Sequence, residues 1–310
     1  MAYQLEGRLV VGLASSALFD LEASDRVFRD KGERAYRIYQ REQQEQPLAA
    51  GVALPFVRRL LALNALDPAN PPVEVVLLSH NDPDTGLRVF KSIEHHGLAI
   101  TRAVFLQGRS PHEYIPAFNI SLFLSANEND VRAAVAAGFP AGLVLPSSAD
   151  DDATDRELRL AFDFDGVLAD DESEAVYQQS DLEGFKRHER ERATVPHNPG
   201  PLKVFLERIA VLQRLELERA ERDPDYRPCL RVAIVTARNA PAHERVINTM
   251  RSWNIIVNDA FFLGGVEKRR VLAIWNPHMF FDDQRLHLDT TMSISPSVHI
   301  PFGISNSRQA

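Results

Sequence analysis

Leu158-Arg-Leu-Ala-Phe-Asp-Phe-Asp-Gly-Val-Leu-Ala-Asp170 is the stretch that decides the fold. Its apolar beginning predicts a buried β-strand, which delivers Asp163 and Asp165 just before a glycine turn at Gly166. Residues i and i+2 of an extended chain point to the same side, so both carboxylates face one spot at the carboxyl end of the strand. Ligands of open α/β sheets bind at that edge. Because two carboxylates repel each other without a cation, the stretch predicts a bound Mg²⁺.

The composition of the 310 residues is that of a soluble globular protein, with 45% hydrophobic and 25% charged residues. A net charge of −8 argues against nucleic-acid and anionic-membrane partners. The single cysteine, Cys229, allows no internal disulfide, which fits a reducing compartment. Residues 1–7 do not resemble a signal peptide, and no apolar run approaches the roughly 20 residues that span a bilayer. We therefore expect a cytoplasmic protein, and the sequence leaves a homo-oligomer open.

Apolar runs alternate with segments of helical spacing along the first half of the chain. Strands are predicted at 9–14, 73–78, 100–106 and 120–124, and helices at 25–46, 55–64, 85–96 and 111–117. Strands that alternate with helices indicate parallel βαβ units, so the fold class is α/β with Rossmann-like, mainly parallel sheets.

The second half of the chain repeats features of the first in the same order. Gly51–Val57 matches Gly200–Leu206, Val76–Pro83 matches Ile234–Pro241, Phe105–Gly108 matches Phe262–Gly265, and Asn119 matches Asn276. The offset between matched segments changes only slightly along the chain. We read the chain as two related lobes, 1–146 and 157–310, joined by an acidic linker at 147–156. On composition alone, a surface loop inside one domain explains the linker nearly as well.

The N-terminal lobe lacks the carboxylates of the C-terminal one. By the repeat, Asp163 and Asp165 correspond to Leu13 and Ser15, Thr236 to Leu78, and Asp282 to Ser125. We therefore interpret residues 1–146 as a degenerate copy, which is structural or shapes one wall of a substrate site.

Four polar elements of the C-terminal lobe follow or end predicted strands. They are Asp163 with Asp165, then Thr236 with Ala237 and Arg238, then Lys268, and last Asp282 with Asp283. The carboxyl ends of parallel strands meet at one edge of a sheet, so these groups are expected to converge. Carboxylates, a hydroxyl and an ammonium in one place suit phosphoryl transfer, where positioning and charge neutralisation do most of the work.

Each predicted site residue has an expected role. Asp163 attacks phosphorus and forms an aspartyl-phosphate, and Asp165 protonates the leaving alkoxide and later accepts a proton from water. Asp163, the main chain of Asp165 and the pair Asp282 and Asp283 hold Mg²⁺, with Asp283 either a direct ligand or an orienting group. Thr236 hydrogen-bonds a phosphoryl oxygen and Lys268 neutralises charge. Ala237 and Arg238 are assigned to substrate binding, although Arg238 could equally lie on a helix surface.

These residues resemble the four motifs of the haloacid-dehalogenase-like phosphohydrolases. Further segments resemble the cytosolic 5′-nucleotidase type I family: Ser15–Phe19, Phe123–Ala126, Asp171–Glu174, Val235–Arg238 and Phe281–Gln284. The resemblance implies Mg²⁺-dependent hydrolysis of nucleoside 5′-monophosphates to nucleoside and phosphate. Animal members read Phe-Asp-Gly-Asp-Ala in the first motif, whereas here Phe164 separates the aspartates and Gly166 follows them. This departure bears on substrate preference and leaves both carboxylates in place.

Other readings remain open at this point. The motifs specify phosphate and not the leaving group, so a sugar phosphate or another small metabolite is an alternative substrate. A nucleotide-sensing protein, with a regulatory ligand in the degenerate lobe, is a third reading. Residues 171–192 form either a small cap over the site or helices packed on the sheet, and His188 and His197 are expected to be solvated.

Overall fold

The computed structural model describes residues 3–180 and 182–307, which form two compact units that meet in sequence between Val144 and Leu145. Each unit consists of parallel strands that alternate with helices, which confirms the α/β class. The strands of unit 1 are β1 (Leu9–Leu13), β2 (Val73–Ser79), β3 (Arg102–Phe105), β4 (Leu122–Ser125) and β5 (Ala141–Val144). Its helices are α1 (Ser15–Leu18), α2 (Glu22–Glu42), α3 (Leu54–Ala62), α4 (Gly86–His95) and α5 (Glu128–Ala136).

Unit 2 has the same alternation. Its strands are β6 (Leu158–Phe162), β7 (Leu230–Thr236), β8 (Asp259–Phe262), β9 (Met279–Asp282) and β10 (Ser297–His299). Its helices are α6 (Glu172–Gln179), α7 (Leu182–Glu191), α8 (Lys203–Arg222), α9 (His243–Ser252), α10 (Lys268–Trp275), α11 (Arg285–Thr291) and α12 (Ile304–Ser307). Among the described residues, no helix combines the length and the apolarity that crossing a membrane requires.

The strands follow one order in both units. Unit 1 reads β3-β2-β1-β4-β5 and unit 2 reads β8-β7-β6-β9-β10, with parallel pairing of neighbours. In such doubly wound sheets the order reverses beside the first strand, and connections that diverge there leave a crevice at the carboxyl ends. The crevice lies between β1 and β4 in unit 1 and between β6 and β9 in unit 2.

The core of unit 2 is built on β6. Leu158, Leu160, Ala161 and Phe162 are fully buried, because helices cover both faces of a parallel sheet. The Phe162 ring stacks on that of Phe281 in β9, with centroids 4.9 Å apart. This packing fixes the ends of β6 and β9, which carry the aspartates, relative to each other.

Equivalent strands of the two units are separated by a nearly constant stretch of chain. The offset is the same for β2 and β7, for β3 and β8, and for β4 and β9, and it is slightly smaller for β1 and β6. Asn119 and Asn276, which precede β4 and β9, share a left-handed backbone conformation with φ of 56° and 50°. The matches found in the sequence therefore fall on equivalent structural elements.

The structure corrects the predicted correspondence by one residue. The Ala14 amide donates to the Leu124 carbonyl at 2.8 Å, and the Asp163 amide donates to the Phe281 carbonyl at 2.8 Å in the same place. Asp163 therefore corresponds to Ala14, and its match to Leu13 was wrong. Strand register likewise pairs Thr236 with Ser79 instead of Leu78.

The cause of this shift is one additional residue in the turn after β6. Leu18 and Leu168 are equivalent, because each accepts a hydrogen bond from a glycine amide. They are nevertheless one residue further apart in the chain than Ala14 and Asp163 are. An alignment made on the two leucines therefore places the aspartate opposite the wrong residue.

The structure changes one helix prediction and describes the segment at 171–192, for which a cap and packed helices were both left open. The helix expected at 111–117 was wrong, since two 3₁₀ turns, His112–Tyr114 and Pro116–Phe118, lie there and Pro116 cannot continue a helix. The segment considered as a cap forms α6 and α7. Unit 1 has α2 at the corresponding place, with its helical backbone broken at Gly32 (φ 77°), so this segment is common to both units.

Candidate active site

A cavity of about 460 Å³ opens in unit 2 at the carboxyl ends of its strands. The loops after β6, β7, β8 and β9 line one side of it, and α6 and α7 line the other. The lining residues are Asp163, Asp165, Ser173, Glu174, Tyr177, Phe185, Thr236, Ala237, Arg238, Asn239, Gly264, Gly265, Gln284 and His287. The cavity therefore lies at the crevice that the strand order predicts.

Asp163 lies directly after β6 and is 5% exposed. Its Oδ1 accepts a hydrogen bond from the Phe164 amide at 2.7 Å, and its Oδ2 lies 2.7 Å from Lys268 Nζ. Burial raises the pKa of Asp163 to about 6, although the charge of Lys268 lowers it. The Asp163 carboxylate is thus oriented on both oxygens and borders the cavity.

Lys268, the first residue of α10, bridges two carboxylates. Its Nζ lies 2.7 Å from Asp163 and 2.7 Å from Asp282. Burial alone would lower the pKa of Lys268, but the charges of Asp163 and Asp282 raise it above its ordinary value. Burial alone would raise the pKa of Asp282. The charge of Lys268 outweighs this effect, so the pKa of Asp282 lies below its usual range. The ammonium therefore stays charged, buried beside the cavity.

Asp283 is a buried carboxylate whose Oδ1 finds no hydrogen-bond partner within residues 3–180 and 182–307. Burial first, and then the charges of Asp163 and Asp282, raise the pKa of Asp283 to about 9. Gly166 (φ 71°) packs against it so closely that a Cβ there would lie 2.7 Å from Asp283 Oδ2, which explains the glycine of the turn. The charge of Lys268 lowers this pKa only in part, so a further cation beside Asp283 would favour its ionised form.

A cluster of possible metal ligands surrounds this place. Oxygen and nitrogen atoms of Asp163, Asp282 and His287 lie within 4.8 Å of one another. A second cluster, Asp170, Glu172 and His197, is also close together. However, Glu172 is already paired there with Arg192 and Arg245, whose charges oppose a cation. Both clusters consist of two carboxylates and a histidine, and Lys268 pairs with two members of the first. The first cluster nevertheless fits a divalent cation better, because Asp163 and His287 line the cavity and the neighbouring carboxylate of Asp283 has an unsatisfied oxygen.

Asp165 is held by Arg238 instead of pointing freely into the cavity. Arg238 Nη2 and Nε donate to the two carboxylate oxygens of Asp165 at 2.6 and 2.7 Å, a bidentate pair. The Arg238 guanidinium also lies over the rings of Phe164 and Phe185, at 5.3 and 5.7 Å from their centroids. Although Arg238 lines the cavity, it is only 5% exposed, so it does not lie on a helix surface.

Glu189 of α7 anchors Arg238 from the opposite side. Its side chain is fully buried, pairs with Arg238 Nη1 and accepts a hydrogen bond from Arg245 Nη1 at 3.0 Å. Burial would raise the pKa of Glu189, but His197 and Arg238 lower it well below its usual range. His197 is 3% exposed and lies 3.5 Å from Glu189, so the prediction that it is solvated was wrong. Its ring also lies against that of Phe164, with centroids 5.2 Å apart, so contacts between distant segments bury it.

Thr236 ends β7 and is 1% exposed. Its Oγ1 accepts a hydrogen bond from the Arg238 amide at 3.3 Å, which orders the loop that also carries Ala237. Both residues line the cavity. The structure therefore brings every predicted site residue to one place, either in the lining or, for Lys268, Asp282 and Asp283, among the buried charged residues beside it.

Several residues of the site were missed by sequence reasoning. Glu189, His287, Tyr177 and Phe185 stand in charged or mixed helical segments, where a solvated surface is the ordinary interpretation. The ten histidines show no metal-ligand spacing in the sequence, so nothing there singles out His287.

The model of the 5′-nucleotidase family matches residues 1–307. Human cytosolic 5′-nucleotidase 1B is 32% identical over 287 residues, which are 91% of this chain and 47% of the human protein. The chain thus spans about half the length of that curated relative. No solved structure matches the chain significantly.

The acidic site at the carboxyl ends of the strands and the sequence matches indicate the same class of protein. The chain belongs to the 5′-nucleotidase family. The resemblance to that family is confirmed by a match that extends over both units.

Proposed function

We propose that the cavity of unit 2 hydrolyses nucleoside 5′-monophosphates to nucleoside and phosphate. The observation that carries this proposal is the oriented Asp163 carboxylate, which borders the cavity while Lys268 bridges it to Asp282. Membership of the 5′-nucleotidase family supports the same substrate class. The human relative is named a cytosolic enzyme, and we extend that compartment to this chain as part of the proposal.

We propose Mg²⁺ as the cation, held by Asp163, the main chain of Asp165, Asp282 and Asp283. The unsatisfied Oδ1 of Asp283 and the carboxylate cluster support this assignment. When bound, the ion offsets the negative charge of the nucleophile and the phosphate. Hard oxygen ligands of this kind are those that Mg²⁺ prefers.

The side chains of the chain then divide the work. Asp163 attacks phosphorus and carries the phosphoryl group as an aspartyl-phosphate, while Asp165 gives a proton to the departing nucleoside oxygen. Water next attacks the aspartyl-phosphate and passes its proton to Asp165. For this exchange Arg238 releases at least one of its two hydrogen bonds to Asp165. Glu189 keeps Arg238 in place meanwhile, so that Arg238 remains available to a phosphoryl oxygen.

We assign the wall formed by α6 and α7 to the nucleoside end of the substrate, as a cap. Tyr177 and Phe185 meet edge to face there, with ring centroids 6.0 Å apart, and offer a surface for a base. Glu174 lines the same wall and is placed to accept hydrogen bonds from ribose hydroxyls. Thr236 and Ala237 line the phosphate end.

A phosphate-release panel tests the proposed function. Nucleoside 5′-monophosphates and sugar phosphates are offered to the full chain with Mg²⁺ and after chelation. We expect release from the nucleotides only, and its loss on chelation. Preferred release from sugar phosphates would show a phosphatase of another substrate class. Nucleotide binding without turnover, even with Mg²⁺, would favour a sensing protein.

Magnesium also has a readout that does not depend on activity. A ligand that binds only the folded state stabilises it by about 2.7 kcal/mol at 100 times its Kd. We expect Mg²⁺ to raise the thermal unfolding midpoint of the wild type and to raise that of Asp283→Asn much less. Equal shifts in both proteins would remove Asp283 from the ion site.

Replacement of Lys268 by methionine is expected to lower kcat about 10²–10³-fold, because a buried cation beside the reacting group is lost. Asp163 and Asp282 would then face each other without the ammonium between them. Steady-state phosphate release measures the effect, and Arg269→Met, which removes an exposed neighbouring cation, serves as the control. An equal fall of kcat in the two variants would show that Lys268 has no specific role in the reaction.

A further inference from the structure

Unit 1 contains a cavity of its own, of about 490 Å³, at the carboxyl ends of its strands. Its lining comes from α2, from the loops after β1, β2 and β3, and from Asn127 at the start of α5. These are the elements that correspond to those lining the cavity of unit 2. The two cavities therefore occupy the same position in two units of the same strand order.

The wall that we assign to the nucleoside in unit 2 is retained in unit 1. Phe28 and Tyr36 precede Tyr177 and Phe185 by the same offset that separates β1 from β6, and all four line their cavities. The ring pair of unit 1 meets at 5.8 Å and 89°, and that of unit 2 at 6.0 Å and 88°. Phe28 and Tyr177 are also equally exposed, at 52% and 51%. The two units thus have the same edge-to-face arrangement of two aromatic rings at corresponding positions.

A carboxylate is retained beside these rings. Asp25 precedes Glu174 by the same offset as the rings, and each lines its own cavity. A carboxylate in this position can accept hydrogen bonds from the hydroxyls of a ribose. The wall of unit 1 therefore offers both an aromatic surface and a hydroxyl acceptor.

The phosphate end, in contrast, lacks the charged groups that unit 2 has there. Ala14 replaces Asp163, Asn81 replaces Arg238, and Pro111 replaces Lys268 at the corresponding positions. Among the described residues that line the cavity, the cationic side chains are already paired. Arg37 lies 2.9 Å from Asp82, and His80 lies 2.7 Å from Asp130. Arg37 Nε has no hydrogen-bond partner among the described residues, but a phosphate entering here would meet the carboxylates of Asp25, Glu33 and Asp82 and no counterpart of Arg238 or Lys268.

We propose that the unit 1 cavity binds a neutral nucleoside and discriminates against the nucleoside monophosphate. The base lies against Phe28 and Tyr36, and Asp25 accepts a hydrogen bond from the ribose. The assignment of a nucleoside rests on the proposed function of unit 2, through the matched aromatic wall, whereas the exclusion of phosphate rests on the charges of unit 1 itself. No chemistry takes place in this cavity, because Ala14 stands where Asp163 would be.

Equilibrium dialysis of matched variants tests this inference. The full chain carrying Asp163→Asn is dialysed with Mg²⁺ against labelled adenosine, uridine and their 5′-monophosphates. Phe28→Ser and Tyr177→Ser are then introduced separately, at corresponding positions of the two cavities. Stacking on one aromatic ring contributes enough that its loss weakens binding about tenfold.

Phe28→Ser is expected to weaken nucleoside binding about tenfold and to leave monophosphate binding as it was. Tyr177→Ser is expected to weaken monophosphate binding about tenfold and to leave the nucleoside site of unit 1 as it was. Nucleoside binding that depends on Tyr177 and not on Phe28 would overturn the inference. Thermal unfolding of each variant shows that its fold is kept.

A second variant tests the exclusion of phosphate by a gain of binding. Asn81→Arg places a guanidinium where unit 2 has Arg238, and in the Tyr177→Ser background it is expected to raise monophosphate affinity about tenfold. An unchanged preference would overturn the charge argument. Phosphate release by the wild type is measured alongside. Its absence would contradict the proposed function of unit 2, while the Phe28 result decides the site in unit 1.

Discussion

Replacement of Asp163 by asparagine is expected to lower phosphate release on the order of 10⁴-fold or more, because an amide cannot form the phosphoryl-enzyme bond. Asparagine has nearly the same shape and can still accept the hydrogen bond that the Phe164 amide donates. The charge facing Lys268 is halved, since Asp282 remains beside it. Substrate binding should therefore persist while turnover is lost.

Single-turnover phosphate release and equilibrium dialysis with a labelled monophosphate separate these two effects. The control is Asp20→Asn in unit 1. It changes an exposed carboxylate that accepts a hydrogen bond from the Glu22 amide. We expect this control to retain full turnover. If Asp163→Asn still released phosphate at a few per cent of the wild-type rate, the nucleophile would have to be another group.

Glu189→Gln is expected to destabilise unit 2 by about 3 kcal/mol, because it removes the charge between two buried guanidinium groups. In a unit of this size, that corresponds to a fall of about 6–12 °C in the unfolding midpoint. The side chains of Glu189, Arg238 and Arg245 are each at most 3% exposed, so water screens the loss very little. The anchor of Arg238 is weakened as well, so kcat should fall with stability.

The matched position of unit 1 supplies the control for this prediction. Gln40 is the counterpart of Glu189 at the offset that separates β1 from β6. It accepts a hydrogen bond from Arg88 at 2.9 Å, as Glu189 does from Arg245. A neutral amide suffices at Gln40, because unit 1 has Asn81 where unit 2 has Arg238 and therefore has one guanidinium fewer to neutralise. The double variant Glu189→Gln/Arg238→Asn should therefore lose less stability than the two single losses added together. Strict additivity would show that Glu189 and Arg238 are not coupled.

The dependence on pH gives a further readout of the same network. The pKa of Glu189 is lowered in the folded state, so its charge stabilises the fold above the ordinary glutamate pKa of about 4.3. The stability difference between wild type and Glu189→Gln should be constant above that pH. It should narrow as the pH falls further toward the lowered pKa, and a constant difference down to pH 2 would contradict the ionised state of Glu189.

The sequence alone determined where the reactive groups gather. Asp163, Thr236 and Asp282 each end or follow an apolar strand, and parallel strands bring their carboxyl ends to one edge, so local pattern sufficed to predict a common site. The repeat was also visible, because the segments that it preserves pack in the same way in both units. What the pattern could not resolve was the register between matches, and the additional residue in the turn after β6 moved the partner of Asp163 from Leu13 to Ala14.

Only the tertiary structure decided how those groups are held. Glu189 lies 49 residues before Arg238 in the chain, yet the two side chains form an ion pair. Arg238 at the same time donates hydrogen bonds to Asp165. No local periodicity encodes such a contact, since a glutamate in a charged helix is ordinarily solvated. The same holds for the unsatisfied Asp283, the buried His197 and the cavity of unit 1. Burial and charge pairing depend on which helix covers which loop, and that is settled by packing between segments far apart in sequence.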